Sequence, residues 1–155
     1  MPAYQTRPAT VADSDVLVHH RIAMFTEMGV PVDMAALDAR FRPWLAEMMP
    51  QGLYRAWLVE AEDGAVVSGG GITIIQWPPG PRYLNDRLAF VYNVYTEPAH
   101  RRQGLGRLVM DTIHAFCRED GIHSLALNAS RFGRPMYEAM GYSVTESPMM
   151  FFALE

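Results

Sequence analysis

The stretch from Leu88 to Leu127, LAFVYNVYTEPAHRRQGLGRLVMDTIHAFCREDGIHSLAL, decides the fold of this chain. Its opening, Leu88 to Glu97, is rich in β-branched and aromatic residues and reads as a strand that Pro98 stops. Leu105, Leu108, Val109, Thr112, Ile113 and Phe116 then recur at spacings of three and four, with Arg107, Asp111, His114, Arg118 and Glu119 on the opposite side. That pattern predicts an amphipathic helix ended by Gly121. Ile122 to Leu127 reads as the next strand. Strand, helix and strand in this order imply a right-handed parallel crossover.

Before this unit, Tyr54 to Ala61 and Ala65 to Trp77 read as two strands around the turn Glu62-Asp63-Gly64. Gly69-Gly70-Gly71 predicts a bulge or a close backbone approach in the second of them. Trp77-Pro78-Pro79-Gly80-Pro81 is a loop, and the three neighbouring strands suggest an antiparallel meander. Tyr4 to Pro8 reads as an opening strand. Thr10 with Asp13 fits a helix N-cap, and that helix runs to about Met28. Asp33 caps a second helix carrying Leu37, Phe41, Leu45 and Met48, which Pro43 is expected to kink or divide. Beyond the deciding stretch, Ser130 caps a short helix to Met140, and Ser147 to Leu154 forms a last strand. The order β-α-α-β-β-β-α-β-α-β describes an α/β domain over residues 1–155, with a mixed, mostly antiparallel twisted sheet and helices on both faces.

Composition narrows the function classes. The chain has 155 residues, 50% hydrophobic and 19% charged, which excludes a disordered chain. Its apolar runs are too short for a membrane-spanning helix, and Met1 to Thr10 lacks the apolar core of a secretory signal. The single cysteine, Cys117, can form neither an internal disulfide nor a zinc cluster and reads as a small buried residue. A reduced, cytoplasmic setting is the expectation, without membrane or metal. The net charge of −4 argues against nucleic acid as partner. Yet the basic residues are all arginine, and six fall between Arg101 and Arg134. A local anion site on an acidic protein is therefore expected.

Arg101-Arg102-Gln103-Gly104-Leu105-Gly106 gives that site a place. The first turn of the predicted helix leaves backbone N–H groups without partners, and its macrodipole adds about half a positive charge. The glycines let a bulky anion reach those amides, and Arg101, Arg102 and Arg107 add full charges. The phosphate loop of nucleotide hydrolases needs a lysine, which this chain lacks. A dinucleotide fingerprint needs a third glycine where Val109 stands. No Gly-x-Ser-x-Gly elbow supports a hydrolase nucleophile.

The spacing that fits is Arg/Gln-x-x-Gly-x-Gly/Ala, from Arg101 to Gly106. In this motif the chain resembles the GNAT superfamily, the Gcn5-related N-acetyltransferases. Met136-Tyr137-Glu138-Ala139-Met140-Gly141-Tyr142 is similar to the family's Leu-Tyr-x-x-x-Gly-Phe segment, and the likeness extends from about Leu88 to Glu155. The resemblance implies a GNAT-like fold and acetyl-CoA as co-substrate. It also implies that Arg102 to Arg107 hold the pyrophosphate, together with Arg101. Val94, Tyr95 and Thr96 match the end of the fourth strand, where splaying from the fifth frees backbone groups for the pantetheine amides. Asn128 and Ser130 match the region along the pantetheine arm, although helix capping alone would also explain them. Tyr137 matches the tyrosine beside the thioester sulfur, where a protonated phenol can donate to a leaving thiolate.

Many members carry a glutamate near the position of Phe90, and Phe90 cannot take a proton. Glu27 is a candidate remote base and Asn93 could orient a water, but the expectation is that no dedicated side-chain base exists. Met24, Phe25, Met28, Trp77 and Tyr83 are expected to line an apolar mouth for the acceptor. The histidines are scattered, and His114 reads as solvated. The leading reading is transfer of acetyl to a primary amine, small or peptidic, in a ternary complex. The alternative is a non-catalytic acyl-CoA-binding sensor or interaction module. A nucleotide-binding domain ranks below both, lacking a Mg²⁺-holding motif. The apolar Met149 to Leu154 reads as an internal strand, with pairing in a homodimer as the other option.

Overall fold

The computed structural model describes residues 3–154. Strand β1 spans Gln5–Pro8. A 3₁₀ turn, Val11–Asp13, leads into helix α1, Ser14–Glu27, and helix α2 spans Met34–Met48. Strands β2 (Tyr54–Glu60), β3 (Val66–Gln76) and β4 (Arg87–Thr96) follow, then a 3₁₀ turn at Pro98–His100. Helix α3 (Leu105–Glu119), strand β5 (Leu125–Leu127) and helix α4 (Arg134–Ala139) complete the order. The sheet runs β1-β2-β3-β4-β5, antiparallel except for the parallel β4–β5 pair that α3 connects.

Alternation along the strands divides the core between the two faces of the sheet. Tyr54, Ala56 and Leu58 of β2 face α1 and α2, where they bury Leu17, Val18, Phe41 and Leu45. Trp57 and Val59 face the other way, onto Leu105, Val109, Met110 and Ile113 of α3 and Tyr137 of α4. Two of the three predicted caps are in place, Thr10 on the 3₁₀ turn that leads into α1 and Asp33 on α2, whereas Gly133 rather than Ser130 stands at the N-cap of α4. Thr10 Oγ1 accepts from the Ala12 amide at 3.3 Å, and Asp13 Oδ2 accepts from the Thr10 amide at 2.8 Å. Asp33 Oδ1 accepts from the Ala36 amide at 3.0 Å.

Pro43 neither divides α2 nor ends it. It lacks the amide that would bond the Ala39 carbonyl, but the buried Phe41 and Leu45 on either side hold the helix to the sheet.

The predicted irregularity in β3 is real, but the extra residue lies on β4. Gly69 pairs with Tyr95 and Gly71 with Tyr92, so Asn93 and Val94 together oppose Gly70. Asn93 takes a positive φ of 59°, a conformation asparagine tolerates better than most residues. Gly70 is required by packing: a Cβ there would lie 2.7 Å from Val109 Cγ1, so α3 could not lie so close to the sheet.

The expected last strand is absent. Residues 147–154 pair with no strand, and Met149, Met150, Phe151, Phe152 and Leu154 are exposed. An unbroken apolar run has no alternating face to set a register, and β5 is only three residues long. The preceding elements are also shorter than expected: β5 starts at Leu125 and α4 at Arg134. No described helix is long and apolar enough to cross a membrane.

One buried group makes stability depend on pH. His20 is 1% exposed, its ring lies 5.1 Å from that of Tyr95, and its Nε2 finds no partner among the described residues. Burial pushes its pKa down to about 4 from 6.5. The unfolded chain therefore binds this proton first as the pH drops. The stability gained from keeping His20 neutral is complete above about pH 6.5 and is lost as the pH falls toward 4. Urea unfolding across that interval should show a loss approaching ~3 kcal/mol, and His20→Leu should flatten it. An equally steep loss in the variant would assign the acid sensitivity elsewhere.

Candidate active site

Beyond Thr96 the chain turns through Pro98–His100 and reaches α3 by a short loop. Arg102 has φ 61° and Gly104 has φ 77°, so the backbone bends twice through the left-handed region. Glycine accepts this freely at the N-cap position, Gly104. None of the N–H groups from Arg102 to Arg107 finds an acceptor among the described residues. All of these residues except Gln103 line a cavity of about 280 Å³ at the positive end of the α3 dipole, together with Thr96 and Met136 among others. Such a cradle suits a phosphate-sized anion.

The neighbouring side chains divide their tasks. Arg101 lines the cavity, but its Nη2 donates to both carboxylate oxygens of Glu27 at 2.7 Å and its Nε to the Thr96 carbonyl at 2.9 Å. It therefore anchors the loop to the end of α1, and its charge is neutralised by Glu27. Glu27, the candidate remote base, is held in that ion pair. Gln103 Oε1 accepts from the Tyr4 hydroxyl at 2.8 Å, so its side chain braces the loop against the N-terminal segment. Leu105 is buried in the core. Arg107 lies 3.6 Å from Asp111 in a loose exposed pair. Arg102 is exposed and makes no ion pair among the described residues.

β5 pairs with β4 only through Ala89, Phe90 and Val91. On that edge the backbone of Val94, Tyr95 and Thr96 has no strand partner among the described residues, as expected of a strand that splays from β5. Asn128 lies exposed just past β5. Ser130 Oγ accepts from the Gly133 amide at 3.0 Å and so serves the turn before α4. Tyr137 is 8% exposed, with its ring edge-on to Tyr142 at 5.7 Å. Its hydroxyl has no hydrogen-bond partner among the described residues, and burial pushes its pKa up to about 12. His114 is half-buried rather than freely solvated: its Nε2 lies 2.7 Å from the Tyr142 hydroxyl, and burial lowers its pKa.

A second cavity, about 360 Å³, opens on the α1–α2 side of β4. Arg21, Arg40, Phe41, Trp44, Tyr54, Thr73, Tyr92 and Asn93 line it. The β4 bulge brings Tyr92 and Asn93, consecutive residues, to this same side. Asn93 is fixed there, donating from Nδ2 to the Tyr54 hydroxyl at 2.9 Å and accepting at Oδ1 from Arg21 Nη1 at 2.7 Å.

Asn93 is thus the one expected acceptor residue at this cavity. Met28, Trp77 and Tyr83 line neither cavity and are exposed. Trp77 bonds the Asp86 carbonyl across the loop and lies four residues beyond Thr73, ~13 Å along an extended chain. Arg21, Tyr54, Thr73 and Tyr92 were missed. Arg21 had a signal: it stands three and four residues from Val18 and Leu17 and four from Phe25, so it occupies the inward stripe of α1.

Residues 20–142 match the model of the acetyltransferase (GNAT) family. The chain belongs to that family. A GCN5-related N-acetyltransferase from Ralstonia eutropha JMP134 is 34% identical, with 97% of this chain and 99% of that one covered and a TM-score of 0.89. A predicted acetyltransferase from Clostridium acetobutylicum, solved with acetyl-CoA, is 26% identical over 97% of this chain and 96% of its own, with a TM-score of 0.83. In this GNAT acetyltransferase, the loop before α3, the free edge of β4 and Tyr137 therefore lie in a fold shared with an acetyl-CoA complex. Among the described residues, no three side chains gather as a metal site.

Proposed function

We propose that this acetyltransferase moves an acetyl group from acetyl-CoA to a primary amine by direct attack in a ternary complex. The observation that carries the reading is the run of unpartnered amides from Arg102 to Arg107 at the start of α3. They suit the pyrophosphate, with Arg102 and Arg107 adding charge. The unpaired edge at Val94 to Thr96 suits the pantetheine amides, which would bond it as an added strand does.

Thr96 at the end of β4 lines the first cavity and Tyr92 and Asn93 line the second, so the bulged stretch between them is where donor and acceptor would meet. The amine nitrogen bonds to the acetyl carbon, the carbon–sulfur bond breaks, and the departing thiolate takes the proton of the Tyr137 hydroxyl. The nitrogen's surplus proton passes to solvent, and solvent returns one proton to the Tyr137 oxygen, which restores the phenol. No carboxylate or histidine lines the acceptor cavity. No dedicated base is therefore assigned, and the amine loses its proton to solvent before attack.

Initial rates of thiol release, measured with varied acetyl-CoA and amine, test the direct attack. Intersecting double-reciprocal lines and no acetylated protein by mass spectrometry are expected. Parallel lines together with an acetyl adduct on the protein would replace direct attack by a covalent route.

A further inference from the structure

We infer that the acceptor is a primary amine carrying an anionic group, a carboxylate or a phosphate, which Arg21 and Arg40 receive in the cavity between α1, α2 and β4. The inference rests on the acetyl-transfer reading and specifies its acceptor.

The lining of this cavity contains two arginines and no aspartate or glutamate, on a protein whose net charge is −4. Arginines elsewhere are often answered: Arg7, Arg42, Arg87, Arg101 and Arg134 each have an acidic partner. Arg21 has none among the described residues, although it is only partly exposed. Its one side-chain hydrogen bond among the described residues is to the neutral amide of Asn93. Its guanidinium carbon lies 5.0 Å from the Phe25 ring centroid and 5.1 Å from that of Phe41. Those rings and the Asn93 bond fix the plane of the fork and leave further donors unused. A desolvated charge without a counter-ion is costly, and here desolvation lowers the pKa of Arg21. An anion entering the cavity would relieve that cost through charge-assisted bonds.

A second unmet group lines the same cavity. The Thr73 hydroxyl is shut off from solvent and has no partner among the described residues. Arg40 is exposed at the rim without an ion pair, placed to meet an anion on its way in. Phe41, Trp44 and Tyr92 supply apolar walls for the body of the acceptor. The same two charges that bind the anion would repel a purely cationic polyamine.

Amine pairs that differ only in the anionic group test this. L-phenylalanine against L-phenylalaninamide probes a carboxylate, and O-phosphoethanolamine against ethanolamine probes a phosphate. Binding is read calorimetrically without acetyl-CoA, and turnover by thiol release with it. In at least one pair the anionic member should bind ~10-fold more tightly or better, and its kcat/KM should exceed that of its neutral partner. Arg21→Met should collapse that preference ~10–100-fold, mainly through KM, and Arg21→Lys should restore part of it. Arg40→Met, a change at an exposed position that leaves the core untouched, should lower the same preference several-fold and reduce its salt dependence. Thiol release only with neutral members would overturn the anion site while upholding acetyl transfer. Binding of an anionic member without thiol release would uphold the anion site and overturn transfer. Failure of every anionic member to bind would overturn the inference.

Discussion

Tyr137→Phe is expected to lower kcat ~10²–10⁴-fold while leaving acetyl-CoA affinity nearly unchanged. The hydroxyl is the only atom removed, and it bonds to nothing among the described residues, so no donor or acceptor is left stranded by its loss. The ring keeps its place against Tyr142 and the α3 core, so the unfolding midpoint should hold. What disappears is the proton offered to the departing sulfur, a contribution made only in the transition state. An unchanged kcat would remove Tyr137 from the chemistry and leave it a packing residue.

The elevated pKa of Tyr137 sets the alkaline side of the rate profile. An ordinary phenol with a pKa of about 10 would lose its proton in mildly alkaline solution, and activity would fall. With burial raising it to about 12, the donor stays protonated well past that point. The rate should rise with pH as the amine deprotonates and should show no descending limb near pH 10.

Much of this site is legible in the sequence because its information is local. A glycine-punctuated helix start after a strand is a statement about backbone amides, and those amides do stand free from Arg102 to Arg107. The α3 stripe and the alternation in β2 and β4 place the core by periodicity alone. Other features depend on distant partners. The ion pair that occupies Arg101 comes from Glu27, far away in the chain. Gln103 is bound by Tyr4. The bulge belongs to a register between β3 and β4, so the glycines of β3 mark its place without showing that Asn93 and Val94 carry the extra residue. The cavity beside α1 and α2 is harder still, since its lining is gathered from five separate elements, α1, α2, β2, β3 and β4. Trp77 and Met28 attract attention as large apolar residues near loops, but the end of β3 separates Trp77 from Thr73, and Met28 lies about two helical turns beyond Arg21 at the end of α1. The run from Met149 to Leu154 has strand-forming residues and no strand to meet, and composition cannot supply that partner.

The central claim is that the start of α3 is an anion cradle for acetyl-CoA, and the second large effect follows from it. Gly106→Leu places a side chain where a Cβ already lies 3.2 Å from Met136 Sδ, at the wall of the cavity. Its remaining atoms must extend over the amides that the pyrophosphate would use. Leucine is a good helix former, so α3 itself should be retained. Losing several charge-assisted bonds at once should weaken binding ~100-fold or more. The most direct measurement is calorimetric titration of acetyl-CoA into the wild-type chain and into Gly106→Leu, with unfolding curves confirming that both are folded. The account predicts clear binding by the wild type that is abolished or reduced ~100-fold in the variant. Absence of binding by the folded wild-type chain, or equal binding by both, would contradict it.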